Sequence, residues 1–201
     1  MELLEDAAML VLDGRHGDYA LAMAHAARAR GIPVLLDAET ADRPCFPALL
    51  ACAHTIVTSA SAPFLSAYGF HPSSTSEEDD EGALLKSARG VLAEVSAAQC
   101  IVVTRGSRGA IALCRTEDGA DVLRCAAVPV PATQLVDTTG AGDAFVAALA
   151  CALARRAPLP AALRLAAHVS ARKCTQLGAH AGTPHFAELP PDLQNILFHD
   201  C

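Results

Sequence analysis

The chain has 201 residues, 52% of them hydrophobic, so it can bury a real core and its length points to one domain, with or without an appendage. Aromatic residues make up 4%, with no Trp, so Ala, Val and Leu must fill that core, which suits helix-on-sheet packing better than a sandwich built on large rings. A net charge of −7 with no dense Lys/Arg cluster argues against a nucleic-acid partner, and no apolar run is long enough to span a membrane.

Residues 8–12 (AMLVL) read as a buried strand ending at Asp13-Gly14. Residues 18–30 have helical spacing, with Leu21, Ala22, Ala26 and Ala29 on one side, and Gly31 stops them before a second strand at 32–36. Short apolar strands in a strand–helix–strand unit imply a parallel sheet covered on both faces. A helix over 47–53, a strand over 54–58 and a short helix over 61–68 continue the alternation. Residues 71–82 (HPSSTSEEDDEG) are polar and acidic and are expected to form a mobile surface loop. A helix over 83–98, a fourth strand over 100–104 and a tight turn at 105–109 follow. Residues 110–114 and 121–125 pair as a hairpin around Glu117-Asp118-Gly119. Helices are expected over 142–156, 159–177 and 186–198, the first two separated by Pro158 and Pro160. Strands alternating with helices make the chain α/β.

The eight cysteines include no CxxC pair and no zinc-finger spacing, and several lie in apolar stretches where Cys acts as a small hydrophobe. A reducing compartment follows, and with an acidic N-terminus unlike a signal or transit peptide the cytoplasm is the expectation.

The sharpest segment is 136–148, VDTTGAGDAFVAA. A polar turn of small residues opens directly into an apolar helix. Gly140, Ala141 and Gly142 carry little or no side chain, so their backbone N–H groups can face open space, and a helix starting there adds its positive dipole end. Together these suit a phosphoryl group. Asp143 stands at the mouth of the same helix, where a carboxylate could accept a proton from an attacking hydroxyl. Read as a lone GxGD, the same residues would make only a glycine turn with an acid that complements the dipole.

The fuller string, DTTGAGDAF before an apolar helix, closely resembles the signature of PfkB-type (ribokinase-like) carbohydrate kinases. IVVTRGSRGAIAL at 101–113 resembles the family's strand–turn–strand beside the nucleotide, and AALRLAAHVSARKCTQLGA at 161–179 resembles the helix flanking the adenine with its Gly-Ala turn. Arg172-Lys173-Cys174 before Gly178 looks closest to the ketohexokinase-like branch.

The resemblance implies a three-layer α/β/α fold with a mainly parallel sheet, filled by a single partial kinase domain over residues 1–201. It implies transfer of the ATP γ-phosphoryl to a sugar hydroxyl, with Asp143 as base and Gly140, Ala141 and Gly142 as anion hole. Thr104, Gly106, Gly109 and Cys174 match nucleotide-side positions, and Asp137 and Thr139 match positions that in some members hold a monovalent cation. ATP with Mg²⁺, K⁺ as the monovalent cation, a sugar as small-molecule partner and a homodimer of the full-length form complete what it implies.

Two departures cut the other way. Where the family carries Asn-x-x-Glu after the third strand seen here, this chain has Ser59-Ala60-Ser61-Ala62. No Gly-Gly sugar motif precedes Asp13, so the family's N-terminal strands and β lid are expected to be missing from these residues, along with most sugar contacts and the cover that excludes water. A non-catalytic pseudokinase or interaction module that keeps the nucleotide-site shell is therefore the rival reading.

Overall fold

A computed structural model describes residues 2–71 and 77–198. The chain divides into two compact units, Met1–Arg105 with Ile111–Leu123, and Gly106–Ala110 with Arg124–Cys201.

The first unit is built on a sheet whose strands run in sequence order: β1 (Leu10–Leu12), β2 (Val34–Asp37), β3 (Thr55–Ser59), β4 (Cys100–Thr104), β5 (Ala110–Thr116) and β6 (Gly119–Cys125). The first four are parallel, with Leu36 opposite Ile56 and Ile56 opposite Ile101, as the sequence predicts. Too few residues join β4 to β5 and β5 to β6 for a parallel crossover, so these pairs are antiparallel. Between the parallel strands run α1 (Gly17–Ala29), α2 (Phe46–Leu50), α3 (Pro63–Ser66) and α4 (Glu77–Glu94). Consecutive strand order with right-handed crossovers places all these helices on one face. Leu36, Ile56 and Ile101 pack there with Leu49, Phe64 and Val91. Strand residues of the other parity, Leu35, Val57, Val102 and Ala112, are buried as well, which fits the near-continuous apolar runs of these strands. β1 is a short edge strand, and Val11 is 45% exposed on it.

The segment 71–82 differs from its expected form. Residues 72–76 lie outside the described residues, but 77–82 are the first turns of α4 rather than loop. High charge pointed to solvent, yet two of these acids find places in the fold: Asp80 is buried, and Glu81 pairs with Arg105 at 2.9 Å. Glu is also a good helix former, and an acidic run suits the positive end of a helix. The expected helix over 186–198 is interrupted too. Phe186–Glu188 form a 3₁₀ turn, and Pro190-Pro191 restart the chain as a short helix, because the residue before a proline avoids the helical region.

The second unit contains α5 (Ala141–Ala154), α6 (Leu159–Lys173) and α7 (Pro191–Ile196), with α5 and α7 both packed on α6. α1 and α5 end alike. After α1, the Gly31 and Ile32 N–H groups bond back to the Arg28 and Ala27 carbonyls, with Gly31 left-handed. After α5, Arg156 takes that role at φ +58°, and Arg156 and Ala157 bond back to Leu153 and Ala152. A non-glycine there carries strain.

Candidate active site

Chain chemistry sets the start of α5. Gly140 adopts φ +78° and ψ 5°, the third position of a type II turn, where a side chain is disfavoured. The turn closes through Ala141 N–H to the Thr138 carbonyl at 3.1 Å, and Ala144 N–H to the Gly140 carbonyl at 2.9 Å begins the helix. The Ala141 amide, expected in the anion hole, is thus already engaged. The Gly140, Gly142 and Asp143 amides have no acceptor among the described residues. A Cβ on Gly142 would meet nothing within 4 Å, so open space lies beside it. Asp143 is in the first turn of α5 and exposed, and its carboxylate makes no hydrogen bond or ion pair among the described residues.

Asp137 contrasts with it. Its two carboxylate oxygens accept the Thr139 amide at 2.9 Å and the Gly178 amide at 2.8 Å. Its carbonyl accepts the Lys173 ammonium at 2.7 Å, and its own N–H goes to the Cys174 carbonyl at 3.2 Å. The Thr139 amide above all, then the Gly178 amide, the Thr139 hydroxyl and the Lys173 charge hold the carboxyl down at about 2. On the far side of the turn the Ser170 hydroxyl donates to the Ala141 carbonyl at 2.8 Å. The turn is therefore bolted to the end of α6 from both sides. In the sequence, Lys173 and Gly178 stand out only within the strings that carry the family resemblance. A charged residue ending an apolar helix was the available signal for a brace.

The other expected positions fall as follows. Thr104 ends β4 in the first unit and donates to the Thr58 carbonyl at 3.4 Å. Gly106 and Gly109 are both left-handed, and Gly109 N–H closes their turn on the Gly106 carbonyl. Glycine is obligatory at 109, where a Cβ would sit 2.1 Å from the Cys125 carbonyl oxygen, whereas a Cβ at 106 meets nothing. Cys174 is buried, and its thiol donates to the Ser170 carbonyl. At the end of β3, where the family motif would supply a carboxylate, the Ser59 and Ser61 hydroxyls bond each other at 2.8 Å. No group of three or more metal-ligating side chains occurs among the described residues, and no helix there is long and apolar enough to cross a membrane.

A mainly parallel α/β sheet with helices between its strands is the ribokinase-like class of fold. Residues 1–185 match the model of the pfkB family of carbohydrate kinases, and the chain belongs to that family. It is 33% identical over 122 residues to fructosamine kinase FrlD of Bacillus subtilis (strain 168), covering 60% of this chain and 39% of that protein. The fold matches the microbiome-derived acarbose kinase Mak1 with a TM-score of 0.65 at 26% identity, covering 90% of this chain and 53% of that one. It also matches an Arabidopsis thaliana ribokinase solved with ribose and ATP, with a TM-score of 0.75 at 24% identity over 98% of this chain and 58% of that one. The chain thus spans 39% to 58% of the length of these relatives.

Proposed function

We propose that this chain carries the catalytic half of an ATP-dependent carbohydrate kinase. The observation that supports it best is the pairing of free Gly142 and Asp143 amides with the free Asp143 carboxylate at one helix start. In this reading the sugar hydroxyl oxygen attacks the γ-phosphorus in line. Asp143 takes the hydroxyl proton, the bond to the β,γ-bridging oxygen breaks, and ADP leaves. Charge on the transferring oxygens is met by the Gly140 and Gly142 amides and the dipole of α5.

Mg²⁺, when bound, would offset negative charge on the ATP phosphates. At the end of β3, where the family motif supplies a carboxylate, this chain has only the Ser59 and Ser61 hydroxyls. K⁺ fits less well, because all three oxygens of Asp137 are already engaged by N–H donors. The ketohexokinase-like branch, and with it a ketose acceptor, rests on Arg172-Lys173-Cys174 alone. A nucleotide-side role for Thr104, Gly106 and Gly109 belongs to the same proposal, while the buried, engaged Cys174 thiol has little surface to offer a base.

The rival, a non-catalytic nucleotide-binding module, draws on the missing carboxylate at Ser59–Ala62. Calorimetry with ATP and phosphate transfer to a panel of ketoses and aldoses separate the two. Asp143→Asn in the longest form that phosphorylates a sugar is expected to lower transfer by about 10²–10⁴-fold while leaving ATP affinity within about twofold. Full transfer by Asp143→Asn refutes the base. ATP binding without transfer to any sugar, in that longest form, favours the module.

A further inference from the structure

Lys173 is the last residue of α6 and is fully buried, at 0% exposure. An ammonium is costly to bury unless it is compensated, and its one hydrogen-bond partner among the described residues is the Asp137 carbonyl at 2.7 Å, a short charge-assisted bond. Asp137 begins the segment that turns through Gly140 into α5, and its carboxylate oxygens accept the Thr139 and Gly178 amides. A fixed negative charge just ahead of an anion-binding turn would repel the phosphoryl groups the turn is shaped to take. Lys173 brings a positive charge to the same residue, 2.7 Å from its carbonyl oxygen. With the Cys174 carbonyl on the Asp137 N–H, and the Thr139 and Gly178 amides on its carboxylate, every polar group of Asp137 is occupied.

We propose that Lys173 is a positioning residue of the phosphate site: its buried ammonium balances Asp137 and sets the backbone from which the Gly140–Asp143 turn departs, serving as a tethered cation where a free one would otherwise be needed. The inference deepens the kinase reading and rests on it for the identity of the anion.

The test is calorimetry on the whole chain with three probes, tripolyphosphate, ADP and adenosine, for the unmodified protein and Lys173→Met. The substitution keeps the aliphatic length and removes the charge. Tripolyphosphate and ADP are expected to lose at least tenfold in affinity and adenosine less than twofold, a split that a general loosening of the fold would not give. Equal losses for adenosine and ADP, or no loss for tripolyphosphate, overturn the proposal. If Lys173→Met does not fold, the unmodified chain still decides. Replacing Na⁺ by K⁺ is expected to leave ADP and tripolyphosphate affinity within twofold, and a tenfold tightening by K⁺ would show that the ammonium is not the resident cation. An unmodified chain that binds tripolyphosphate and not adenosine removes the nucleotide reading while leaving this one standing. One that binds none of the three removes both.

Discussion

Two glycines one residue apart, Gly140 and Gly142, separate backbone geometry from ligand space. At Gly140 an added Cβ would lie 2.7 Å from the Ala179 carbonyl oxygen and 3.0 Å from the Ala179 Cα, on a residue already at φ +78°. The left-handed conformation costs a non-glycine residue about 1–2 kcal/mol. Relieving overlap with backbone, which cannot rotate away as a side chain can, adds about 1–3 kcal/mol. Gly140→Ala should therefore destabilise by about 2–5 kcal/mol, a fall in Tm of about 5–15 °C for a chain of this size. Because the displaced atoms are the turn itself, ADP affinity should fall with it. Gly142→Ala is the control. Its Cβ meets nothing within 4 Å, it lies inside α5, and alanine there should leave Tm unchanged or raise stability by about 0.4–1 kcal/mol. If the open space beside Gly142 is where a phosphate sits, Gly142→Val weakens ADP at an undiminished Tm. Thermal unfolding and ADP calorimetry on the three variants check all of this. A Gly140→Ala protein within about 2 °C of the parent, with unchanged ADP affinity, would refute the argument.

Two further outcomes concern stability alone. Arg156 closes α5 at φ +58°, so Arg156→Gly should stabilise by up to about 1 kcal/mol; a denaturant midpoint that falls instead contradicts the strain assignment. His54 accepts the Val34 N–H on Nδ1 at 3.1 Å, and burial, helped by the Arg28 charge, lowers its pKa below the usual value of about 6.5. The folded state resists a proton that the unfolded chain takes up, so stability present above pH 6.5 should drain away as pH falls toward 5. In His54→Asn, which keeps an acceptor and loses the titration, that slope should flatten; identical slopes in urea titrations at pH 7 and 5 would exclude His54 as its source.

Much of the architecture was legible because period and composition agreed. The four apolar runs ending near Leu12, Leu36, Thr58 and Thr104 became the parallel strands, and Pro158 marked the start of α6. The reading failed where a residue's partner is distant in sequence. Nothing local says that Glu81 will meet Arg105, so an acidic run that helps start α4 looked like loop. The site divides in the same way. Gly140, Gly142 and Asp143 announce themselves because conformation, amide exposure and helix polarity are properties of a short string. The grip of Ser170, Lys173 and Gly178 on the turn joins residues more than 25 positions apart and is not readable from that string. The small residues of α5, including Ala144, Ala148 and Ala152, permit the packing of α5 on α6 without naming its polar contacts.

The two aspartates flanking the turn show why accounting for hydrogen bonds separates frame from chemistry. Asp137 and Asp143 are the same residue type a few positions apart, and the sequence offered a site role for each. Both carboxylate oxygens and the carbonyl of Asp137 accept hydrogen bonds, and its pKa is pressed down to about 2, which makes it a poor proton acceptor near neutral pH. Its bonds are instead what hold the turn. Asp143 has an exposed carboxylate that no group among the described residues engages. A base must be able to reach its proton and release it again, whereas a brace must do neither. Gly140 stands between them, and its left-handed turn separates the acid that binds the Thr139 and Gly178 amides from the acid in the first turn of α5.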